Sequence, residues 1–254
     1  MEPIRIDSTD PARSSGQPTS FDRAIAPDRA RHTLLTLLLA TSVCTGMLLV
    51  RFVWSANFRF SGFFWNLILA WIPLAVTLFI RRLPPLTGWR RSWFWIALIA
   101  WILFFPNAFY LVTDLIHTKK FGTDGVARWF DMLMTAGFAF AGVFVGCLSL
   151  YLMHLFVRKL FGWRAGWVFA AAALALGSFG IYLGRVLRLN SWDVVARPLK
   201  LMDKVSTLSE PANLGEALGF SAAFFAFSFA TYTFVVSIAR IHEPLETPGS
   251  GSPS

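Results

Sequence analysis

"SWFWIALIAWILFFPNAFYLVTDLIH", residues 92–117, decides the fold. Between Ser92 and Thr113 it carries no charged residue, and about 20 apolar residues are enough for a helix to cross a ~30 Å hydrocarbon core. The same stretch then ends on Asn107, Tyr110, Asp114 and His117, polar residues gathered at one end of an otherwise apolar run. At about 100° per residue these four fall within an arc of about 80°, so they share one face of the helix.

Working outward, five further windows have the same character, giving six spans at 33–53, 61–80, 92–113, 131–157, 165–187 and 217–239. Apolar residues make up 56% of the chain and charged residues 15%, against about 25% charged in a soluble domain. Eleven Trp and twenty-six Phe suit a hydrocarbon-facing surface with aromatic belts at its rims. The expected fold is all-α, a polytopic membrane helix bundle of six transmembrane helices in one domain, residues 33–240, because helices satisfy their own backbone groups in lipid.

Residues 1–32 are polar, with five acids and five Arg among Pro, Ser and Gly, and read as a disordered cytoplasmic tail. Residues 241–254, ending "PLETPGSGSPS", read as a second flexible tail. The first apolar run lacks a small-x-small cleavage site before Arg51 and is expected to stay as an anchor. Cys44 and Cys147 fall mid-helix and read as small core residues rather than a disulfide or a metal motif.

Lys and Arg in the loops set the expected orientation. "RRLPPLTGWRR" (81–91) and "RKLFGWR" (158–164) are basic without an acid, whereas the loops around 114–131 and 188–216 mix both signs. Loops two and four, with both termini, are therefore expected in the cytoplasm of a bacterial plasma (inner) membrane. The formal net charge of +9 is dispersed at span ends, which excludes a nucleic-acid-binding face.

Pro106 cannot donate to the carbonyl of Ile102, so the third span is expected to bend there and its polar face to meet protein or water. The fifth span repeats the pattern with the opposite sign: Ser178, Tyr182, Arg185 and Arg188 fall within an arc of about 120°. Both stripes run toward the same leaflet. Gly142 with Gly146, and Gly180 with Gly184, are small-xxx-small pairs that let helices approach closely. Asn107 lies ~22 Å along from Ser92 and Asp114 ~33 Å, so the charges sit near the interface, where they can snorkel. An interfacial Asp–Arg lock and a ligand-binding Asp–His–Arg site are both open on this reading.

Beyond the fifth span, Asn190, Ser191 and Asp193 read either as caps of a short helix lying on the membrane or as a lid over the Arg pair. Asp114 and His117 have a spacing that suits two ligands of one metal, with Asp131 and Asp193 to complete a set. His154, His32 and His242 lie elsewhere, so the sequence assigns no metal site and no cofactor. It also holds no Gly-x-Ser-x-Gly elbow, no His-Glu-x-x-His and no Gly-rich phosphate loop. Asp131 reads as an acid at the N-terminus of the fourth helix. Pro73, Ser221, Ser228 and Thr231 read as bending and interhelical bonding residues.

The segments "PNAFYLVTDLIH" and "GRVLRLNSWD" together resemble an uncharacterised bacterial membrane-protein family, domain of unknown function 1361, over about 35–240. Its pattern pairs Pro-Asn-Ala-x-Tyr…Asp-Leu-x-His with Arg…Asn-Ser-Trp-Asp. Pro106, Asn107, Ala108, Tyr110, Asp114 and His117 match the first; Arg185, Arg188, Asn190, Ser191, Trp192 and Asp193 match the second. Phe109 and Leu189 depart from it. The resemblance implies location and a residue set, not an activity.

The expected site is an outer polar pocket formed by Asn107, Tyr110, Asp114, His117, Tyr182, Arg185, Arg188, Asn190 and Asp193. Arg185 and Arg188 would hold a phosphate or carboxylate of an anionic small molecule or a lipid headgroup for binding or transport, with membrane lipids as the surrounding partners. Asp114 would orient Arg185. Two alternatives stand beside it: an enzyme on a lipid-linked substrate, with His117 as general acid or base, and a non-catalytic assembly subunit in which Asp114 and Arg185 only fix packing.

Overall fold

The computed structural model describes residues 27–82, 89–116, 121–188, 196–206 and 210–241. Among them the chain forms helices and no strands: α1 (Pro27–Ser55), α2 (Ser61–Arg82), α3 (Trp89–Phe104), α4 (Pro106–Thr113), α5 (Arg128–Phe161), α6 (Trp163–Arg185), α7 (Pro198–Ser206) and α8 (Pro211–Ile241). Six spans are long and apolar enough to cross a membrane, α3 and α4 together making the third. The chain is a multi-pass membrane helix bundle. Its first helix begins at Pro27, ahead of the expected span; residues 1–26 and 242–254, which hold most of both expected tails, lie outside the described residues.

The fourth span, α5, is the axis of the bundle. Of its spanning window 67% is buried, against 22% for the first and last spans. It packs on α1, α2, α4 and α6, while α8 lies outside against α6. Its sequence permits this because Ala141, Gly142, Val143, Val145, Gly146, Cys147 and Ser149 are all small or β-branched and all buried. The core beside it is aromatic: Trp101, Phe105 and Phe109 are almost wholly buried, with Trp101 stacked on Phe105 at 4.6 Å and Phe105 edge-on to Phe109 at 5.6 Å.

Exposed aromatic residues mark two rims, as expected where a helix leaves hydrocarbon for headgroups. Trp54, Phe58 and Trp129 are exposed at the end carrying the 56–60 and 121–127 connections; Trp93, Trp95, Phe161 and Trp163 are exposed at the other. There a single residue, Gly162, joins α5 to α6 at φ 88°, a left-handed conformation that glycine adopts without a Cβ clash. Cys44 and Cys147 are buried free thiols in the core.

Candidate functional site

The polar end of the bundle is built on the bend between α3 and α4. Phe105 keeps helical angles (φ −54°, ψ −40°) and its N–H still reaches Trp101 O at 2.8 Å, so the chain bends without breaking. Pro106 has no N–H, which leaves the Ile102 carbonyl without its helical donor. The next turn tightens: Ala108 N donates to Phe105 O at 3.2 Å, and Phe104 O is thereby released. Asn107 repairs it, its Nδ2 donating to Phe104 O at 3.1 Å. A polar residue straight after the proline is thus first a backbone partner for the bend.

Bending brings the α4 backbone very close to its neighbours. A Cβ at Gly142 would lie 2.4 Å from Ala108 O, and one at Gly146 2.8 Å from the Phe109 ring. From the other side a Cβ at Gly180 would lie 2.8 Å from Pro106 Cγ. The glycines of α5 and α6 therefore grip α4 between them.

With α4 held in this way its last residues meet α6 and α2. Asp114 Oδ1 accepts from Arg185 Nη1 at 3.1 Å, and Oδ2 accepts from Asn66 Nδ2 at 3.2 Å. Arg185 Nη2 donates to Thr113 O at 3.0 Å, capping a carbonyl at the C-terminal end of α4, where a cation is favoured. The guanidinium also lies 5.8 Å from the Tyr110 ring centroid. Side-chain exposure is 16% for Arg185 and 8% for Asp114, so the pair is shielded from bulk water.

Of the expected set, Tyr110, Asp114 and Arg185 come together. Asn107 serves the bend. Tyr182 turns into the α6–α8 seam, 2% exposed, 5.8 Å from the Phe220 ring. Arg188, just past the end of α6, is exposed at φ 53° and has no hydrogen bond or ion pair among the described residues. His117, Asn190 and Asp193 lie outside the described residues. Among the described residues there is also no group of His, Cys, Asp and Glu able to hold a metal ion.

A second charged cluster at the same end was not anticipated. Arg51, fully buried at the end of α1, donates from Nε to Asp131 Oδ1 at 2.7 Å, and Asp131 Oδ2 accepts from Gly122 N at 3.0 Å. Arg51 Nη2 reaches Thr123 O at 3.4 Å and lies 3.6 Å from Asp124 Oδ2; its Cζ stands 4.9 Å from the Phe60 ring centroid. Its Nη1 is buried with no hydrogen-bond partner. Asp131 is thus more than a helix-terminal acid: it fastens α5 to α1. The sequence signal was an Arg inside the end of the first apolar run and an Asp at the start of the fourth, both at one end of the bundle.

Two further polar groups complete the interior. Ser149 Oγ accepts from Trp101 Nε1 at 2.9 Å and pairs with Thr77 Oγ1 at 3.0 Å, joining α5, α3 and α2. Near the other end His154 Nδ1 and Tyr232 OH are 2.7 Å apart, with Trp167 edge-on to the imidazole at 4.8 Å. No curated protein and no solved structure matches the chain. Residues 65–237, which take in Asn66, Asp114, Asp131 and Arg185, match the family described as protein of unknown function (DUF1361), and the chain belongs to that family.

Proposed function

We propose that this is a multi-pass protein of the bacterial plasma membrane, with both termini in the cytoplasm, that binds or transports an anionic solute or lipid headgroup at its outer end. The orientation is supported by charge. Arg81, Arg158, Lys159 and Arg164 stand at one end, while Asp114, Asp124, Asp131, Asp203 and Glu216 share the other with their cations.

The observation that carries the binding reading is Arg188. Arg185 is committed to Asp114 and Thr113, whereas Arg188 is exposed close by it and without a protein partner among the described residues. An exposed guanidinium beside a fixed ion pair suits a phosphate or carboxylate, which it engages through two parallel N–H bonds. On this reading Arg185 and Asp114 form the rigid floor and Arg188 reads the ligand. Native mass spectrometry of the gently purified protein beside Arg188→Gln tests it. An anionic species present on the natural chain and lost from a folded variant is the expected result; equal occupancy of both, or none on either, overturns it.

One observation favours the lock reading instead. Both Asp114 oxygens and both Arg185 terminal nitrogens are engaged within the protein. A site closed on itself needs no ligand, and the protein would then be an assembly subunit whose charges only fix packing.

A further inference from the structure

The short helix α7 stands on the bundle the wrong way round for a helix in water. Leu199, Met202 and Val205 occupy an arc of about 120°, with Asp203 on its flank, about 40° beyond Leu199, and Lys204 on the opposite side. Lys204, from the polar side, ties α7 to the body, its Nζ donating to Leu187 O just past the end of α6. The apolar side is left open, with Leu199 80% and Met202 68% exposed. A surface helix in water turns its apolar stripe to the core; the reverse arrangement suits a helix whose open side meets hydrocarbon.

Two further features fix what that side meets. The Lys204–Leu187 contact sets α7 at the height where α6 leaves the membrane-crossing region, and α8, which begins shortly after it in the chain, also exposes Leu214 and Leu218. The exposed charges around it are of both signs, Arg188 and Arg197 with Asp203 and Glu210, as suits a position in the polar headgroup layer. We infer that α7 is an interfacial anchor, lying in the headgroup layer of the leaflet at this end with Leu199 and Met202 among the acyl chains. The occupant is the bilayer itself. This placement does not depend on Arg188 holding a separate ligand.

The full chain in vesicles containing phosphatidylglycerol tests the inference, with a single environment-sensitive fluorophore on Met202→Cys or on Asp203→Cys. Both sites are exposed, so both variants are expected to fold, while Cys44 and Cys147 are buried and are expected to escape labelling. The Met202 label is expected to emit to the blue and to lose most of its intensity to lipids brominated on their acyl chains. The Asp203 label, at the edge of the stripe on the side toward Lys204, is expected to be the more strongly quenched by aqueous iodide. Iodide quenching of both positions alike overturns the inference, as does a disulfide between two copies through Met202→Cys, which would make the stripe a contact between chains.

Discussion

Arg51 Nε stands 2.7 Å from Asp131 Oδ1, and neither side chain has any exposed surface. The pair joins the end of α1 to the first turn of α5 across 80 residues of sequence. Removing one partner of such a pair leaves the other charge buried alone, which costs about 3–5 kcal/mol. Arg51→Ala is therefore expected to lower the thermal midpoint of the detergent-solubilised protein strongly, and Arg51→Met with Asp131→Leu to recover most of the loss. Asp124 is the control. At 26% side-chain exposure and 3.6 Å from Arg51 it contributes less than about 1 kcal/mol, so Asp124→Asn should leave the midpoint nearly unchanged. A single substitution of Arg51 as mild as Asp124→Asn would show that the buried pair is not holding α1.

Asp114 and Arg185 behave as one unit with Asn66. Arg185→Gln removes the cation from a carboxylate that is 8% exposed, a change expected to cost about 2–5 kcal/mol. Adding Asp114→Asn to Arg185→Gln removes the orphaned charge and should restore part of the stability, a coupling that a double-mutant cycle measures directly. Additive losses would mean that the two residues do not act through each other.

The glycines give the sharpest contrast. Gly142→Ala places a methyl 2.4 Å from Ala108 O, backbone that cannot swing away, and overpacking of this kind costs about 1–3 kcal/mol. Gly46 in α1 has nothing within 4 Å of its hypothetical Cβ, so Gly46→Ala should be neutral or stabilise by up to about 1 kcal/mol. Comparing the melting of the two variants decides whether α4 is gripped as closely as described.

Ser149 is the hub of the neutral network. Ser149→Ala leaves the Trp101 indole N–H buried without its acceptor, whereas Thr77→Val removes one hydroxyl and leaves the Trp101–Ser149 bond in place. Interhelical bonds of this type contribute about 0.6 kcal/mol on average and about 1.7 at most within membranes. Ser149→Ala is expected near the upper figure and Thr77→Val near the lower one. The reverse order in a denaturation series would place the hub elsewhere.

Orientation is checked by reporters fused after Lys120 and after Arg164. The first is expected on the outer side and the second in the cytoplasm. The opposite pattern would carry Arg188 and α7 to the cytoplasmic leaflet.

The spans were legible because hydrocarbon imposes a length and a composition that any window reveals. The bend at Pro106 was legible for a covalent reason, the missing N–H. The use made of Asn107 was not, because a side chain serving its own backbone and one facing a ligand look alike in a helical projection. Asp114 and Arg185 could be placed at one level by counting residues along two helices. Arg51 and Asp131 could have been placed the same way, but Asp131 had a sufficient local explanation as an acid at a helix start, and Arg51 stood alone near the end of its span. Asn66, Thr77 and Ser149 left no trace because a lone polar residue within an apolar run bonds its own helix as readily as another.

The grip of two helices on α4 also bears on the order in which the chain is built. When the third span leaves the ribosome it carries a bend, loosened carbonyls and Asp114, while Arg185 is still 71 residues away. The glycine faces that seat it belong to α5 and α6, which do not yet exist. A span in that condition is poorly suited to release into lipid by itself. The third, fourth and fifth spans are therefore expected to leave the insertion machinery as one cooperative group, with the arrival of Arg185 closing the step.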